Sequence, residues 1–226
     1  MKAIASLLSV VILLAACEQE LYEKGDSVNS YTRADFVEAF VGSNKTIEYV
    51  VTDDGDRLSL KKPYTSGWIQ ESDTVYRSLM YYDQWGQEAE VLSLSRVTVL
   101  SVVNDITGKG KWKTDPVGLE TIWVSKSKKY LNLGLLLKSG EITESQEKHK
   151  VGAVLNSITL NADSTYTVNM SLSHSQGDVP EYYTQRAYLS ISLDGTEADS
   201  LRFTMNTYDG VVTKSFCLKS KNAKRQ

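Results

Sequence analysis

Two cysteines and two histidines supply all the thiol and imidazole chemistry in 226 residues. The histidines, His149 and His174, stand in separate runs, with no cysteine pair and no His-x-x-x-His, so no zinc ligand set is present. No metal and no cofactor is expected. The apolar run 3–16 falls short of the roughly 20 residues that a membrane-spanning helix needs. With 25 basic against 28 acidic residues there is no excess of positive charge, which argues against nucleic acid as a partner. Helical periodicity is nearly absent after Tyr31.

What is present begins with an address. Lys2 precedes an apolar stretch that ends in small residues, Leu14-Ala15-Ala16, directly before Cys17. A charged start, a short apolar core and small side chains at a cut site make an export signal. The four residues ending at Cys17 resemble a lipobox, whose peptidase needs small residues and whose transferase needs a thiol to alkylate. The expectation is a signal peptide over 1–16 and a diacylglyceryl and palmitate-bearing anchor on Cys17. Such a protein is held at the cell envelope, on the outer membrane, facing the periplasm or the outside. Cys217 is then the remaining thiol, so no internal disulfide is available and stability must come from packing. Loss of Lys2 leaves the mature chain mildly acidic. Residues 17–30 are polar and aperiodic, a flexible tether reaching on the order of 20 Å. The basic end, 221–226, reads as a frayed tail.

From Tyr31 the period is two. Tyr166, Val168, Met170, Leu172 and His174 share one strand face, and Thr167, Asn169, Ser171 and Ser173 the other. Leu131, Leu133, Leu135 and Leu137 alternate with Asn132 and Gly134 in the same way, as do Leu189 and Ile191 with Ser190 and Ser192. Turn pairs such as Asp194-Gly195 and Asp209-Gly210 separate the runs. One apolar and one polar face per strand predicts antiparallel sheets packed face to face. In the first half, strands are expected at 34–41, 46–51, 57–60, 74–82 and 90–103. The last changes apolar phase near Ser95-Arg96, which predicts a bend where one strand serves two walls of a small barrel. Glycines and a proline between Asn104 and Pro116 mark the boundary. The fold class is therefore all-β: an N-terminal OB-like small barrel over 31–108, then a C-terminal immunoglobulin-like β-sandwich over 109–220.

Asp115-Pro116, Trp123, Tyr130-Leu131-Asn132 and Leu172-Ser173-His174 with Gly177-Asp178, following a lipobox and an irregular β region, resemble the NigD-like lipoproteins of Gram-negative anaerobes, in the Bacteroidota. The resemblance covers nearly all of the mature chain. It implies an OB-type domain, a β-sandwich, and a role in bacteriocin immunity. It implies no catalytic residues. The family often carries Arg where this chain has Ser173, so no role of that Arg transfers here.

The candidate chemistry is sparse. His174 ends an apolar strand face, where an imidazole can bond a loop; Asp178 could orient it, but no serine or cysteine stands out as a nucleophile. Asp53-Asp54-Gly55-Asp56 lacks the distal Glu of a calcium loop and reads as a turn with Gly55 at positive φ. Tyr76, Tyr82 and Trp85 are the candidate ligand-binding residues, since exposed Tyr and Trp offer flat amphipathic surface to a protein or glycan. The competing reading places these rings in the barrel core or a domain interface. Pro180-Glu181-Tyr182-Tyr183 is a second patch of the kind. A fimbrial subunit, cut near Arg33, ranks below a non-enzymatic binding module. A glycan-binding accessory of an uptake system is the alternative.

Overall fold

The computed structural model describes residues 32–219. The signal 1–16, the tether 17–30 with Cys17, and the tail 221–226 lie outside them. The described residues are all-β, with no helix. Five strands, β1 (Thr32–Val41), β2 (Ile47–Thr52), β3 (Arg57–Tyr64), β4 (Thr74–Trp85) and β5 (Glu88–Arg96), close into a barrel in the order β1-β2-β3-β5-β4. The closing pair is antiparallel, β1 on β4, running from Thr32 opposite Asp83 to Val41 opposite Thr74. β3 and β5 meet in parallel at Ser59 and Leu60. Alternation fills the lumen with Val37, Ala39, Val50, Leu58, Met80, Tyr82 and Leu94, all buried. Leu92 is the extra residue of a bulge in β5, opposite the step from Tyr81 to Tyr82.

The phase change after Leu94 has a different origin from a bend inside a barrel strand. The barrel ends at Arg96, and Val97 donates its N–H to the Arg77 carbonyl at 2.8 Å. The chain then divides into β6 (Thr98–Leu100) and β7 (Val102–Asn104). β6 lies parallel to β12 (Tyr183–Ser192), and β7 parallel to β10 (Lys150–Leu160). Residues 98–104, which the sequence assigns to the barrel, thus extend the later sheets. A strand's phase cannot tell a bend from a change of partner.

Those later sheets hold nine strands. One has the order β14-β13-β11-β10-β7, with β11 (Tyr166–Ser175), β13 (Ser200–Thr207) and β14 (Gly210–Cys217). The other runs β6-β12-β9-β8, with β8 (Gly118–Val124) and β9 (Tyr130–Ser139). Their inner faces share one core. Leu131, Leu133, Leu135 and Ile191 enter it from the four-stranded sheet, and Val168, Met170, Leu201 and Phe203 from the five-stranded one. Each such side chain removed from water contributes about 1.5–3 kcal/mol. The turn glycines Gly55, Gly195 and Gly210 take φ of 95°, 74° and 109°, where an L side chain is strained.

β9 departs from simple alternation. Its apolar face lies in the core, yet Asn132 and Gly134 on its polar face are also covered, Asn132 completely. Ser190 on the neighbouring β12 is likewise fully buried. The barrel covers Asn132 and Ser190, whereas Gly134 lies beneath the Thr121 and Tyr188 side chains of its own sheet.

Candidate functional site

The barrel docks on the outer face of the four-stranded sheet through residues that point away from its lumen. On β4, Met80 and Tyr82 point in, so Arg77, Leu79 and Tyr81 point out. Phe36 on β1, Leu79 and Val97 bury themselves against Trp123 of β8 and Tyr188 of β12. Phe36 meets Trp123 edge to face at 5.2 Å and Tyr188 at 5.8 Å, the arrangement favoured by the ring quadrupoles.

Beside this contact sits a buried polar knot. Arg77, only 4% exposed, donates through Nη2 to Asp53 Oδ2 at 2.7 Å and Asn132 Oδ1 at 3.0 Å, and through Nε to Ser190 Oγ at 3.2 Å. Asn132 Nδ2 donates to the same Asp53 oxygen at 2.7 Å, and Ser190 Oγ donates to Asn132 Oδ1 at 2.8 Å. The guanidinium lies over the Tyr130 ring at 4.1 Å. Glu38 adds a second crossing. It accepts from Lys129 Nζ at 2.9 Å and from the Tyr130 hydroxyl at 3.0 Å. Burial, then the Glu38 carboxylate, pushes the Tyr130 phenol up to about 12. Asp53 is therefore spent on Arg77 and Asn132, and the calcium alternative for its loop loses that ligand.

Alongside the knot, the two units leave a cleft of about 750 Å³ between them. One wall is barrel: Asp35, Phe36, Leu79, Tyr81 and the turn residues Asp53 and Asp54. The other is the four-stranded sheet and its β8–β9 turn: Thr121, Trp123, Tyr188, Lys126 and Lys128. Tyr81 is 41% exposed, so its ring is open to a ligand. The carboxylates here already have partners, while Lys128 donates, among the described residues, only to the Cys217 carbonyl at 3.2 Å. Asp53 is held by Arg77, Asp35 by Arg33 and the Tyr82 hydroxyl, and Asp54 by Lys126 at 3.9 Å. The cleft thus offers aromatic faces, paired carboxylates and the Lys128 ammonium, in a volume suited to a small ligand or a protruding side chain.

The three aromatic residues singled out from the sequence are not brought together. Tyr82 is 0% exposed in the barrel core, where its hydroxyl donates to Asp35 Oδ2 at 2.7 Å; burial first, then Asp35, raises its ionisation well above the usual range. It cannot meet a ligand. Tyr76 packs at the same lumen against Trp68, edge to face at 5.5 Å, and its hydroxyl accepts the Glu71 N–H at 3.0 Å. Trp85 lies at the β4–β5 hairpin under Lys61, 4.6 Å from its ring. The competing reading, rings filling the core, describes Tyr82 and Tyr76. The residues that do line the cleft, Tyr81, Trp123 and Tyr188, left one trace in the sequence. Phe36, Leu79 and Tyr81 sit on the strand face opposite the lumen, where a lone barrel would carry polar groups.

Among the described residues no cluster of three or more His, Cys, Asp or Glu could hold a metal ion. His149 and His174 are brought together, with Nδ1 of the first 3.0 Å from Nε2 of the second. Their outer nitrogens face the Lys138 and Asp115 carbonyls, and the Asp178 carboxylate takes the Glu147 N–H rather than an imidazole. Cys217 is exposed, and its thiol donates to the Lys219 carbonyl at 2.9 Å.

This chain is similar in fold to a NigD-like immunity protein. That protein, from Bacteroides caccae, superposes with a TM-score of 0.60 at 23% identity, over 83% of this chain and 97% of its own. A protein of unknown function from Bacteroides vulgatus aligns at 0.59 with 15% identity, over 84% of this chain and 93% of its own. A Bacteroides fragilis protein described as a lipoprotein gives 0.55 at 14% identity, over 86% and 100%. No protein-family model matches the sequence, and no curated protein does either.

Proposed function

We propose that this chain is a non-enzymatic lipoprotein of the cell envelope that binds a macromolecular partner, in the manner of a bacteriocin immunity factor. In this reading 1–16 is the signal, Cys17 carries the lipid and 17–30 is the tether to the outer membrane. The barrel is OB-like and the two sheets form an immunoglobulin-like sandwich. The boundary between them falls at Val97, where the chain leaves the barrel. The observation that carries the proposal is the cleft: exposed and half-buried aromatic rings between two β units, with its carboxylates already paired. Support comes from the likeness in fold to the NigD-like immunity protein and the B. fragilis lipoprotein. The ring nitrogens of both histidines are taken by carbonyls and by each other, which leaves none to serve as a general base.

The test is complementation of a deletion strain challenged with bacteriocins. Wild-type chain should restore resistance, and Tyr81→Ala should not, although it accumulates to the same level. Unchanged sensitivity in the deletion strain would remove the immunity role. Cys17→Ser should abolish labelling by palmitate and release the protein from the membrane fraction.

A second reading has an observation of its own. Tyr81 and Trp123 border a cleft whose carboxylates are mated, a setting that suits a neutral, hydroxyl-rich ligand stacked on rings. A glycan array on which the wild-type chain binds and Tyr81→Ala does not would move the proposal to a glycan-binding accessory protein.

A further inference from the structure

At one end of the sandwich core, a chain of hydrogen bonds runs from one sheet to the other through both histidines. It starts at the Lys138 carbonyl, near the end of β9, which faces His149 Nε2 at 3.0 Å. It passes from His149 Nδ1 to His174 Nε2 at 3.0 Å, and ends with His174 Nδ1 facing the Asp115 carbonyl at 2.9 Å. The two rings stack 17° from parallel, and His174 is 1% exposed.

The proton count follows from the partners. A carbonyl only accepts, so His149 Nε2 and His174 Nδ1 must both carry hydrogen. Two neutral imidazoles have no hydrogen left, and their inner nitrogens would face each other lone pair to lone pair. A bond at 3.0 Å between them requires a third hydrogen. We propose that His149 and His174 share one proton as a singly charged pair, and that a second proton, taken up in mild acid, opens this clasp. With four hydrogens on four nitrogens, two N–H groups and two positive charges would be forced together.

The surroundings agree. Burial, then the charge of His174, holds the His149 imidazole below the ordinary histidine range, the direction expected of a ring that resists a second proton. The charged residues on the packed segments are Lys113 and Asp115, Lys138, Glu147, Lys148 and Lys150, and Asp178. Their carboxylates are engaged elsewhere. Asp115 accepts the Gln176 N–H at 2.8 Å, Asp178 the Glu147 N–H at 2.9 Å, and Glu147 pairs with Lys150 at 3.3 Å. None of these bonds is made to an imidazole, so the second ring is the charge each ring meets first.

The clasp also holds a loop. Gln176 Nε2 donates to the same Lys138 carbonyl and to Val179 O, each at 3.0 Å. Gly177 sits at φ +64°, and a side chain there would strike the Glu147 carbonyl. This loop leads to Tyr182, which is 82% exposed. Opening the clasp would free an aromatic surface loop, so the envelope's local acidity would set how firmly Tyr182 is presented.

Linkage fixes the sign. Below about pH 6.5 the unfolded chain binds two protons on these residues and the folded chain one, so stability falls as pH drops. In the acid limb the folding equilibrium should lose nearly tenfold per pH unit from this pair alone.

The experiment is a ¹⁵N-histidine NMR titration of the full chain between pH 5 and 8.5, beside denaturant unfolding of wild type and His149→Gln. The proposal expects three hydrogens on four ring nitrogens at neutral pH, two separated titration steps, and an acid-limb slope that His149→Gln removes. Two rings titrating together near the free-histidine value would overturn it. So would added zinc shifting both inner nitrogens at one equivalent, because a metal ion would then hold the place of the proton. The wild-type titration decides alone if the variant fails to fold.

Discussion

The barrel and the paired sheets solve the same problem of burying one face per strand, but only the barrel does so without edges. Its five strands close on themselves, while the two later sheets end in β14 and β7, and in β6 and β8. Closure turns every inward residue to a narrow lumen and leaves the outer face free for docking. The open sheets instead pool two inner faces into one larger core, and the chain hands that core its first two strands straight from the barrel. Stability should therefore reside mainly in the sheets, and orientation in the polar contacts between the units, the Arg77 knot and the Glu38 crossing.

The largest test of this contrast is Leu133→Ala. Leu133 is fully buried where the two sheets meet, so truncation should cost about 4 kcal/mol in denaturant unfolding, from lost transfer energy and the cavity left behind. If the barrel stands on its own, its near-ultraviolet signal should melt after that of the sheets in this variant.

Arg77→Ala comes next, at about 3 kcal/mol, since it leaves the Asp53 carboxylate on Asn132 Nδ2 without the cation that balances its charge. Asp53 keeps some contact with water, its side chain being 15% exposed, which holds the loss to the low end. The double variant Arg77→Met with Asp53→Asn should recover most of it, because replacing a whole buried pair costs less than breaking one. Arg77→Ala should also split a single unfolding transition into two; one coincident transition would show that the apolar contact at Phe36 suffices to couple the units.

Within the barrel, Tyr82→Phe should cost about 1 kcal/mol, one hydrogen bond to Asp35. Alkali sharpens this. Tyr82 and Tyr130 both ionise above their unfolded value near 10, so the unfolded chain loses these protons first. Stability is fully present below pH 10 and is lost as pH rises above it. Denaturation midpoints measured from pH 9 to 11 should fall in wild type and fall less steeply in Tyr82→Phe and Tyr130→Phe.

The later sheets were legible in the sequence because most of their strands have one wet face. β11 alternates Val168, Met170 and Leu172 with Asn169, Ser171 and Ser173, and the structure keeps that division. The barrel was harder to read, since β4 is buried on both sides and its periodicity marks two burials with one pattern. That is why Tyr82 could pass for a surface ring. The exit at Val97 was visible only as a phase change, and the histidine pair not at all. His149 and His174 are 25 residues apart, and they meet only because β10 and β11 pair with Val151 opposite His174.

The smallest expected effect on stability is the most telling for function. Tyr81 sits beside Tyr82 on β4 but on the other face, so the two tyrosines separate folding from binding within one dipeptide. Tyr81→Ala should change stability by less than about 0.5 kcal/mol, as for a surface side chain with water on one side. Its ring is the open part of the cleft, whereas Trp123 and Tyr188 are braced by Phe36 and cannot be removed without loosening the units. If Tyr81→Ala folds like wild type and still confers full protection or full ligand binding, the cleft is not the binding surface. The exposed Tyr182 loop at the far end of the sheets is then the surface to test. If protection is lost at unchanged stability while Tyr82→Phe retains it, recognition belongs to the seam between the units rather than to either one.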